Sequence, residues 1–381
     1  MKFVFAPDSF KGSLTATEIT RILQEEARKA FPDCEAFSVP IADGGEGTVD
    51  ALITAAGGEV RVTEVEGPLG ERVRARYGLL DEGKAAVIEM AQASGLPLVG
   101  NEKRPLEASS FGTGELMLQA LKDGAQKLIV GIGGSATNDG GMGMLSALGA
   151  RFYDAAGTLL HGRGAELAQV ESADFSQLSA QIKEAEIEVI CDVKNPLLGE
   201  NGATAVYGAQ KGVTPAMFPA LEAGMARYAA VLERTLGRDV SRFDGAGAAG
   251  GMGAALGGVL KAKMRNGVGA ILDAVHFDTL LKNCDLVVTG EGRIDRQSVE
   301  FGKVPSGVAR RCREYGVPVI AIVGGMGEGA EAFYEEGLVS ILTTVNGPME
   351  LSKAIALAEP LYRDAARRMF RLLQIGRTLK G

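Results

Sequence analysis

The sequence predicts an α/β protein in which a doubly wound parallel sheet domain carries a second, inserted α/β domain. The chain has 381 residues, too many for one ordinary core, and 46% of them are hydrophobic, enough to fill two. Both ends of the chain alternate strand-like and helix-like segments, which is typical of parallel sheets because parallel strands need helix-length connections. The middle of the chain shows a different pattern, which indicates a separate domain.

The N-terminal part contains two units of strand, loop and helix. Residues Lys2 to Ala6 form an apolar run that predicts a buried strand. The next helix is expected to start at Thr15, because Thr15 and Glu18 have the spacing of a capping box, and to end before Pro32. The segment "CEAFSVPIA" predicts a second strand, which leads through the loop "DGGEGT" into another helix.

The C-terminal part repeats this order three times. The segments "CDLVVTGEGRIDRQ", "VPVIAIVGGMGEGAEAF" and "LVSILTTVNGPMEL" each predict a strand followed by a loop and a helix. A final amphipathic helix is expected from about Glu350 to Leu373. The first domain is therefore predicted to contain five parallel strands.

The middle of the chain predicts hairpins followed by buried strands. The segment "VRVTEVEGPLGERVRARYGLLDEGKAAVIEMA" alternates apolar and polar residues, with turns at Gly70 and Gly83. The apolar runs "KLIVGIG" and "EVICDV" predict two more strands. We expect residues 1–60 and 281–381 to form the flanking domain and residues 61–280 the inserted one. The active site is expected in a cleft between the two domains, a common location for small-molecule sites.

Composition excludes several functional classes. The formal charge of -8 and the lack of a basic stretch with interleaved aromatic residues argue against nucleic-acid binding. No run of about 18 apolar residues predicts a membrane helix, and no signal peptide is recognised, so the cytoplasm is the expected location. The 4 cysteines lie far apart and the 2 histidines have neither metal-ligand nor Ser/His/Asp spacing. A disulfide framework, a zinc site and histidine catalysis are therefore not expected.

Small polar and acidic residues follow five of the predicted strands. In a doubly wound sheet, ligands bind beyond the carboxyl ends of the strands, where loops and helix N-termini converge. The loops concerned are Asp8–Ser13, Asp43–Thr48, Gly290–Asp295, Ser135–Gly141 and Asp192–Pro196. Loops are commonly polar, but five such loops together favour a binding site over simple turns.

One of these loops is rich in glycine. The segment "GIGGSATNDGGMG", residues 131–143, lies between a predicted strand and a predicted helix. Glycine permits positive φ and lets backbone N–H groups approach an anion closely, so a phosphate or carboxylate ligand is expected. A tight turn is the alternative interpretation.

The combination of residue types favours phosphoryl transfer. This reaction depends on positioning and on cancelling negative charge, which Mg²⁺ and lysines provide without histidine or cysteine. The candidates are Lys11, Lys194 and Lys211 for phosphate, and Asp8, Asp43 and Asp192 for Mg²⁺ or for a hydroxyl proton. Hydride transfer is disfavoured because no G-x-G-x-x-G follows the first strand, and "EFGKVP" does not complete a Walker A motif.

Seven segments of the chain resemble the class I glycerate kinase family. They are "APDSFKGSLTA", "PIADGGEGT", "GIGGSATNDGGMGMLSALGA", "CDVKNPLLGENGA", "GAQKG", "GAGAAGGMG" and "TGEGRIDRQ…GKVPSGVA", in the family's order and over nearly the whole chain. The resemblance implies a flavodoxin-like domain with a second α/β domain. It also implies phosphorylation of D-glycerate by ATP with Mg²⁺, with 2-phosphoglycerate favoured over 3-phosphoglycerate.

We predict Asp8, Lys11 and Asp192 as the catalytic residues, and Asp8 and Asp43 as Mg²⁺ ligands. Lys11 is expected to bind phosphate or a carboxylate. Asp192 is expected to accept the hydroxyl proton, or else to cap a turn with Asn195. Contacts with substrate or nucleotide are predicted for Ser9, Ser13, Gly44, Gly45, Glu46, Gly133, Gly134, Ser135, Asn138, Asp139, Asn195, Gly290, Glu291 and Arg293.

Several alternatives stay open from the sequence. Arg293 either clamps the substrate carboxylate or pairs with Asp295. An organic-acid dehydrogenase, another phosphate-handling enzyme or a non-catalytic organic-acid sensor could use a similar fold. The expected partners are glycerate and ATP, without nucleic acid or membrane, and a homodimer is left open.

Overall fold

The structure is a computed structural model that describes residues 1–10, 12–41, 47–101, 103–296, 298 and 303–379. Its strands are β1 (Lys2–Pro7), β2 (Glu35–Ser38), β3 (Glu59–Glu66), β4 (Arg72–Leu80), β5 (Ala85–Glu89), β6 (Lys127–Gly131), β7 (Arg151–Tyr153), β8 (Leu159–Leu160), β9 (Ser172–Asp174), β10 (Glu186–Ile190), β11 (Lys263–Arg265), β12 (Leu286–Gly290), β13 (Arg293–Ile294), β14 (Val319–Val323), β15 (Gly325–Met326) and β16 (Leu338–Thr343).

The described helices are α1 (Ala16–Ala30), α2 (Thr48–Ala56), α3 (Ala91–Ser94), α4 (Leu96–Val99), α5 (Phe111–Lys122), α6 (Met142–Ala147), α7 (Ala180–Glu184), α8 (Ala203–Tyr207), α9 (Phe218–Leu236), α10 (Ala248–Gly253), α11 (Gly267–Ala274), α12 (Phe277–Leu281), α13 (Val304–Glu314), α14 (Phe333–Glu336), α15 (Leu351–Ala356) and α16 (Ala358–Thr378). Within the described ranges, none of them combines the length and the apolar composition needed to cross a membrane.

The chain divides into two compact units. The first comprises Met1–Asp43, Thr54–Ala56 and Gly267–Gly381, and the second comprises Gly44–Ile53 and Gly57–Asn266. The domain limits that the sequence predicts, near positions 60 and 280, stay a prediction.

The first unit is built on a parallel sheet. In the described residues its strand order is β16-β14-β12-β1-β2, and every neighbouring pair is parallel. Numbered along the chain, these strands lie in the order 2-1-3-4-5, which is the flavodoxin-like order. The predicted fold class is therefore confirmed, with two strands from the N-terminal part and three from the C-terminal part.

The core of the first unit lies between this sheet and the helices α1 and α16. Phe3 and Phe5 of β1 belong to one buried cluster with Ile19 of α1 and Phe370 of α16. The rings of Phe3 and Phe370 meet edge to face, with centroids 5.6 Å apart. This packing fixes β1, and with it the start of the loop that carries Asp8.

The two covering helices agree with the sequence to different degrees. The capping box of Thr15 and Glu18 is present at the start of α1, as predicted. The prediction of one continuous C-terminal helix is wrong, because Leu357 separates α15 from α16. Pro360 lies in the first turn of α16, where proline is tolerated. In a continuous helix its ring would clash with the Ala356 carbonyl and leave that carbonyl without a donor.

The second unit contains a mixed sheet with the order β11-β10-β6-β5-β4-β3 among the described strands. β3, β4 and β5 pair antiparallel, whereas β5, β6, β10 and β11 pair parallel. The predicted hairpins are confirmed, with Gly70 and Gly83 at positive φ in their turns. Two small additional sheets, β8-β7-β9 in this unit and β13-β15 in the first unit, are not predicted from the sequence.

Candidate active site

The carboxyl ends of β1 and β12 lie side by side in the first unit. Pro7 is in register with Gly290, and the Asp8 N–H donates to the Gly290 carbonyl at 2.8 Å. Asp8 and Glu291 therefore leave the sheet from neighbouring positions, as the sequence predicts for residues that follow adjacent parallel strands.

The loop after β1 is anchored by an aromatic side chain. Phe10 is 6% exposed and packs edge to face on Tyr362, with ring centroids 5.4 Å apart. The Phe10 and Leu14 backbones exchange hydrogen bonds of 2.8 and 3.1 Å, and Gly12 has a φ of 81° in the turn between them. The loop therefore has a fixed base in the hydrophobic core.

The polar residues of this loop also bond locally. The carboxylate of Asp8 accepts hydrogen bonds from the Ser9 N–H at 2.6 Å and the Ser9 hydroxyl at 3.3 Å. The Ser13 hydroxyl donates to the Phe10 carbonyl at 3.0 Å. Asp8 is 8% exposed, so this carboxylate lies at the edge of the buried core rather than in open solvent.

The segment after β12 mixes packing and polar roles. A Cβ on Gly290 would collide with the Ile322 carbonyl, so glycine at this position lets two strands approach closely. Glu291 is 4% exposed and accepts a hydrogen bond from Lys303 at 3.2 Å. Arg293 lies 4.0 Å from Asp295, but its side chain is 74% exposed, so this contact is a weak surface ion pair. The pKa of Asp295 is lowered mainly because its carboxylate accepts a hydrogen bond from the Ser298 backbone N–H.

The carboxyl ends of β5, β6 and β10 meet at one edge of the second sheet. Gly131 is in register with Glu89 on one side and with Ile190 on the other. The glycine-rich segment and Asp192 consequently start from the same edge. Glu89 shares this edge, and the sequence analysis missed it.

Glu89 caps the N-terminus of α2 in place of a residue adjacent to that helix in the chain. It is 3% exposed and accepts a hydrogen bond from the Val49 N–H at 2.7 Å. Val49 is in the first turn of α2, whose N-cap residue, Gly47, has a φ of 91° and no side chain to cap the helix. A carboxylate that ends the apolar run "AAVIE" was the available signal, because a buried charge needs a partner.

The glycines of residues 131–143 serve more than one purpose. Gly134 is exposed in a turn with a φ of 72°. Gly140 and Gly141 are buried instead, and a Cβ there would lie 2.6 Å from Tyr228 and 2.5 Å from Ala255. The predicted approach of backbone N–H groups to an anion can therefore apply only to the exposed turn, because Gly140 and Gly141 permit close packing instead.

Asp139 occupies the start of α6 with its own carboxylate. The side chain is fully buried and accepts hydrogen bonds from the Ser110 N–H at 2.7 Å, the Ser110 hydroxyl at 2.6 Å, the Gly141 N–H at 3.1 Å and the Gly143 N–H at 3.3 Å. Burial raises the pKa of this carboxyl, and the four hydrogen bonds oppose that effect. Asp139 thus joins the start of α5 to the start of α6, and its predicted ligand contact stays a prediction.

The other predicted residues of the second unit differ in how they are held. Ser135 is 6% exposed, and Gly133 is half-buried. Asn138 is fully buried, and its amide donates to the Thr204 hydroxyl at 3.2 Å. The Asn195 amide donates to the Asn201 carbonyl at 2.9 Å, and its oxygen accepts a hydrogen bond from the Tyr207 hydroxyl at 2.6 Å.

Asp192 is half-buried beside Cys191. Burial raises the pKa of that thiol to about 11, and the Asp192 charge adds to the effect.

Two of the lysines considered for phosphate have opposite environments. Lys194 is exposed. Lys211 is 2% exposed, and burial lowers its pKa to about 7, against an opposing effect of Asp139. A buried lysine cannot be recognised from the local sequence "GAQKG", because its neighbours are distant in the chain.

Five predicted residues lie outside the described residues: Lys11, Asp43, Gly44, Gly45 and Glu46. Within the described residues, no group of three or more His, Cys, Asp or Glu side chains is arranged to hold a metal ion. Mg²⁺ in kinases commonly needs one or two carboxylates because the phosphates of the substrate supply further ligands. The Asp8 carboxylate fits that smaller requirement by its chemistry and by its place at the sheet edge.

The sequence and the fold match known glycerate kinases. The family model described as the glycerate kinase family matches residues 3–374. The chain is 47% identical over 365 residues to a glycerate kinase of Halalkalibacterium halodurans, covering 96% of each protein. It is 46% identical over 377 residues to glycerate 2-kinase of Escherichia coli, covering 99% of each. A crystal structure of a protein assigned as glycerate kinase 2 from Salmonella typhimurium LT2 is 44% identical, with a TM-score of 0.89 and 99% of both chains covered. The chain belongs to the glycerate kinase family.

Proposed function

We propose that this protein is an ATP-dependent glycerate kinase that converts D-glycerate to 2-phosphoglycerate. The supporting observation is the likeness over 99% of the chain to a protein named glycerate 2-kinase. Neither the dehydrogenase nor the sensor alternative gains support, because the family model and the relatives reported above carry the name glycerate kinase.

The proposed reaction transfers one phosphoryl group. The 2-hydroxyl oxygen of glycerate forms a bond to the γ-phosphorus of ATP, the bond from that phosphorus to the bridging oxygen breaks, and ADP leaves. The hydroxyl proton needs an acceptor, and we assign this role to Asp192. Its half-buried position at the end of β10 suits a carboxylate that must meet a ligand without full hydration.

We assign charge neutralisation to Lys11 and to Mg²⁺. The metal would be held by Asp8, with Asp43 as the second predicted ligand, and it would screen the charge of the phosphates. For substrate contacts, the turn of Gly133 and Gly134 with Ser135 is favoured over Asp139 and Asn195. The first set includes half-buried and exposed backbone, whereas the side chains of the second are bonded within the chain. A cytoplasmic location also belongs to this proposal.

The proposal is tested by following the transfer of labelled γ-phosphate from ATP to D-glycerate. We expect labelled phosphoglycerate with D-glycerate and Mg²⁺, and loss of turnover when EDTA removes the metal. Turnover that continues without a divalent metal would contradict the Mg²⁺ assignment alone. A protein that binds glycerate but forms no phosphoglycerate, or that changes NADH absorbance instead, would contradict the kinase assignment.

A further inference from the structure

The amine of Lys211 is enclosed in the second unit. Lys211 ends the short 3₁₀ turn Ala209–Lys211, and its side chain is 2% exposed. Its Nζ donates to the carbonyl oxygen of Thr137 at 2.7 Å, and in the described part of the chain this is its only hydrogen bond. Thr137 belongs to the glycine-rich segment between β6 and α6.

Stability alone does not account for a lysine at this position. Asp139 is close enough to influence it by charge, but no carboxylate of the described residues lies within ion-pair distance. A buried charge without a close partner is costly, and methionine, which is uncharged and only one atom shorter, would avoid that cost. The amine must therefore contribute something other than a favourable burial energy.

The surroundings of the amine show which atoms it controls. Gly250 has a φ of 69°, and a Cβ there would lie 2.9 Å from the Lys211 Nζ and would collide with the Thr137 carbonyl. The Gly250 carbonyl in turn accepts a hydrogen bond from the Gly140 N–H at 2.9 Å. Lys211 and Gly250 consequently contact the same short segment, residues 137–140.

In the described residues, the side chains of Thr137 and Asn138 make a single hydrogen bond, from the Asn138 amide to the Thr204 hydroxyl. The Thr137 hydroxyl and the Asn138 amide oxygen are buried and have no hydrogen-bond partner among the described residues. Neither atom exposes surface to solvent, so a ligand cannot reach them directly in this conformation. The bond from Lys211 to the Thr137 carbonyl and the bond from Asn138 to Thr204 are therefore the polar restraints that the described residues place on residues 137 and 138 from other parts of the chain.

We infer that Lys211 is a positioning residue that fixes residues 137 and 138 through the Thr137 carbonyl. Together with the backbone hydrogen bonds of Gly134 and Ala136 to residues 94–96, it sets the position of the exposed turn of Gly133 and Gly134. The expected effect of Lys211 on catalysis rests on the proposed function. We assign no substrate contact to Lys211 itself. Misplacing a binding segment by a small distance reduces turnover strongly, because catalysis depends on alignment.

The test compares Lys211→Met with Lys122→Met, a matched substitution of an exposed lysine in the same unit. We expect Lys211→Met to lower kcat/KM for glycerate by about tenfold or more. Its melting temperature should stay at or above that of the native protein, because a buried charge has been removed. Amide hydrogen exchange of residues 133–139 should become faster in Lys211→Met and not in Lys122→Met.

Each result decides one point. If kcat/KM or the exchange of residues 133–139 stays at the native value in Lys211→Met, the positioning role is overturned. A large loss of melting temperature would also overturn it in favour of a purely structural role. A native protein that forms no phosphoglycerate contradicts the proposed function, while the exchange comparison still decides whether Lys211 holds this segment.

Discussion

The loop after β1 and the segment after β6 are both held in place, but by two different means. The first is anchored by Phe10, an apolar ring packed on Tyr362. The second is held by buried ionisable groups, Asp139 at the start of α6 and Lys211 against the Thr137 carbonyl. Apolar anchoring is insensitive to pH, whereas buried charge links the geometry of a segment to protonation. The following predictions separate these two means.

The largest effect is expected from removing the aromatic anchor. Phe10→Ala should lower the unfolding free energy of the first unit by about 3–5 kcal/mol, because it empties a buried site beside Tyr362. Thermal unfolding followed by circular dichroism measures the loss, and Phe10→Leu is the milder control. The loss should be equal near pH 6 and near pH 8, since no charge is involved. A clearly pH-dependent loss would show that Phe10 is not a simple apolar anchor.

A somewhat smaller loss is expected in the second unit. Asp139→Asn places an NH₂ group where the Ser110, Gly141 and Gly143 donors need an acceptor, and should cost about 2–4 kcal/mol. Asp244→Asn, an exposed substitution in the same unit, is the control and should leave the melting temperature nearly unchanged. Equal melting temperatures for the two variants would refute the structural role of Asp139.

The pH dependence of stability tests the buried amine. Lys211 has a folded pKa of about 7 against an ordinary value of 10.5, so the unfolded chain holds its proton more tightly. The cost of burying the charge is therefore complete below pH 7 and is relieved as the pH rises toward 10.5. Relative to Lys211→Met, the native protein should gain about 2 kcal/mol of unfolding free energy between pH 7 and pH 9. Denaturant titrations at both pH values measure the gain, and parallel curves for the two proteins would contradict a buried, shifted lysine.

The smallest effect is expected at the distant cap of α2. Glu89→Gln keeps an acceptor for the Val49 N–H but removes the charge at the helix N-terminus, so it should cost about 1 kcal/mol or less. Thr15→Ala, at the local capping box of α1, supplies a comparison of similar size. Melting temperatures of the two variants provide the test. A loss several times larger for Glu89→Gln would mean that its charge does more than cap α2.

These differences also mark what the sequence can predict. The strands β1, β12 and β14 are apolar runs followed by polar loops, a local pattern that predicts both the sheet and the residues at its edge. The capping box of α1 and the hairpins around Gly70 and Gly83 are equally local. The break at Leu357 was missed although Pro360 marks it, because the apolar periodicity continues across the break.

The roles of several site residues depend on partners that are far away in the chain. Gly140 and Gly290 resemble the glycines of an anion-binding loop. A Cβ at these positions would instead collide with Tyr228 and Ile322, which are distant in the chain. The partner of Asp139 is Ser110, 29 residues away, and that of Lys211 is Thr137, 74 residues away. Residue types therefore predict that these segments matter, whereas only the fold separates groups that hold a segment from groups that can meet a ligand.

The most direct test of the proposed function is an assay that distinguishes the two phosphoglycerates. The purified protein is incubated with D-glycerate, ATP and Mg²⁺, and enolase then converts any 2-phosphoglycerate to phosphoenolpyruvate, which is followed by its ultraviolet absorbance. We predict an absorbance increase that requires D-glycerate, ATP and this protein, without added phosphoglycerate mutase. Phosphoglycerate that forms but reacts with enolase only after the mutase is added would contradict 2-phosphorylation, and no phosphoglycerate at all would contradict the kinase.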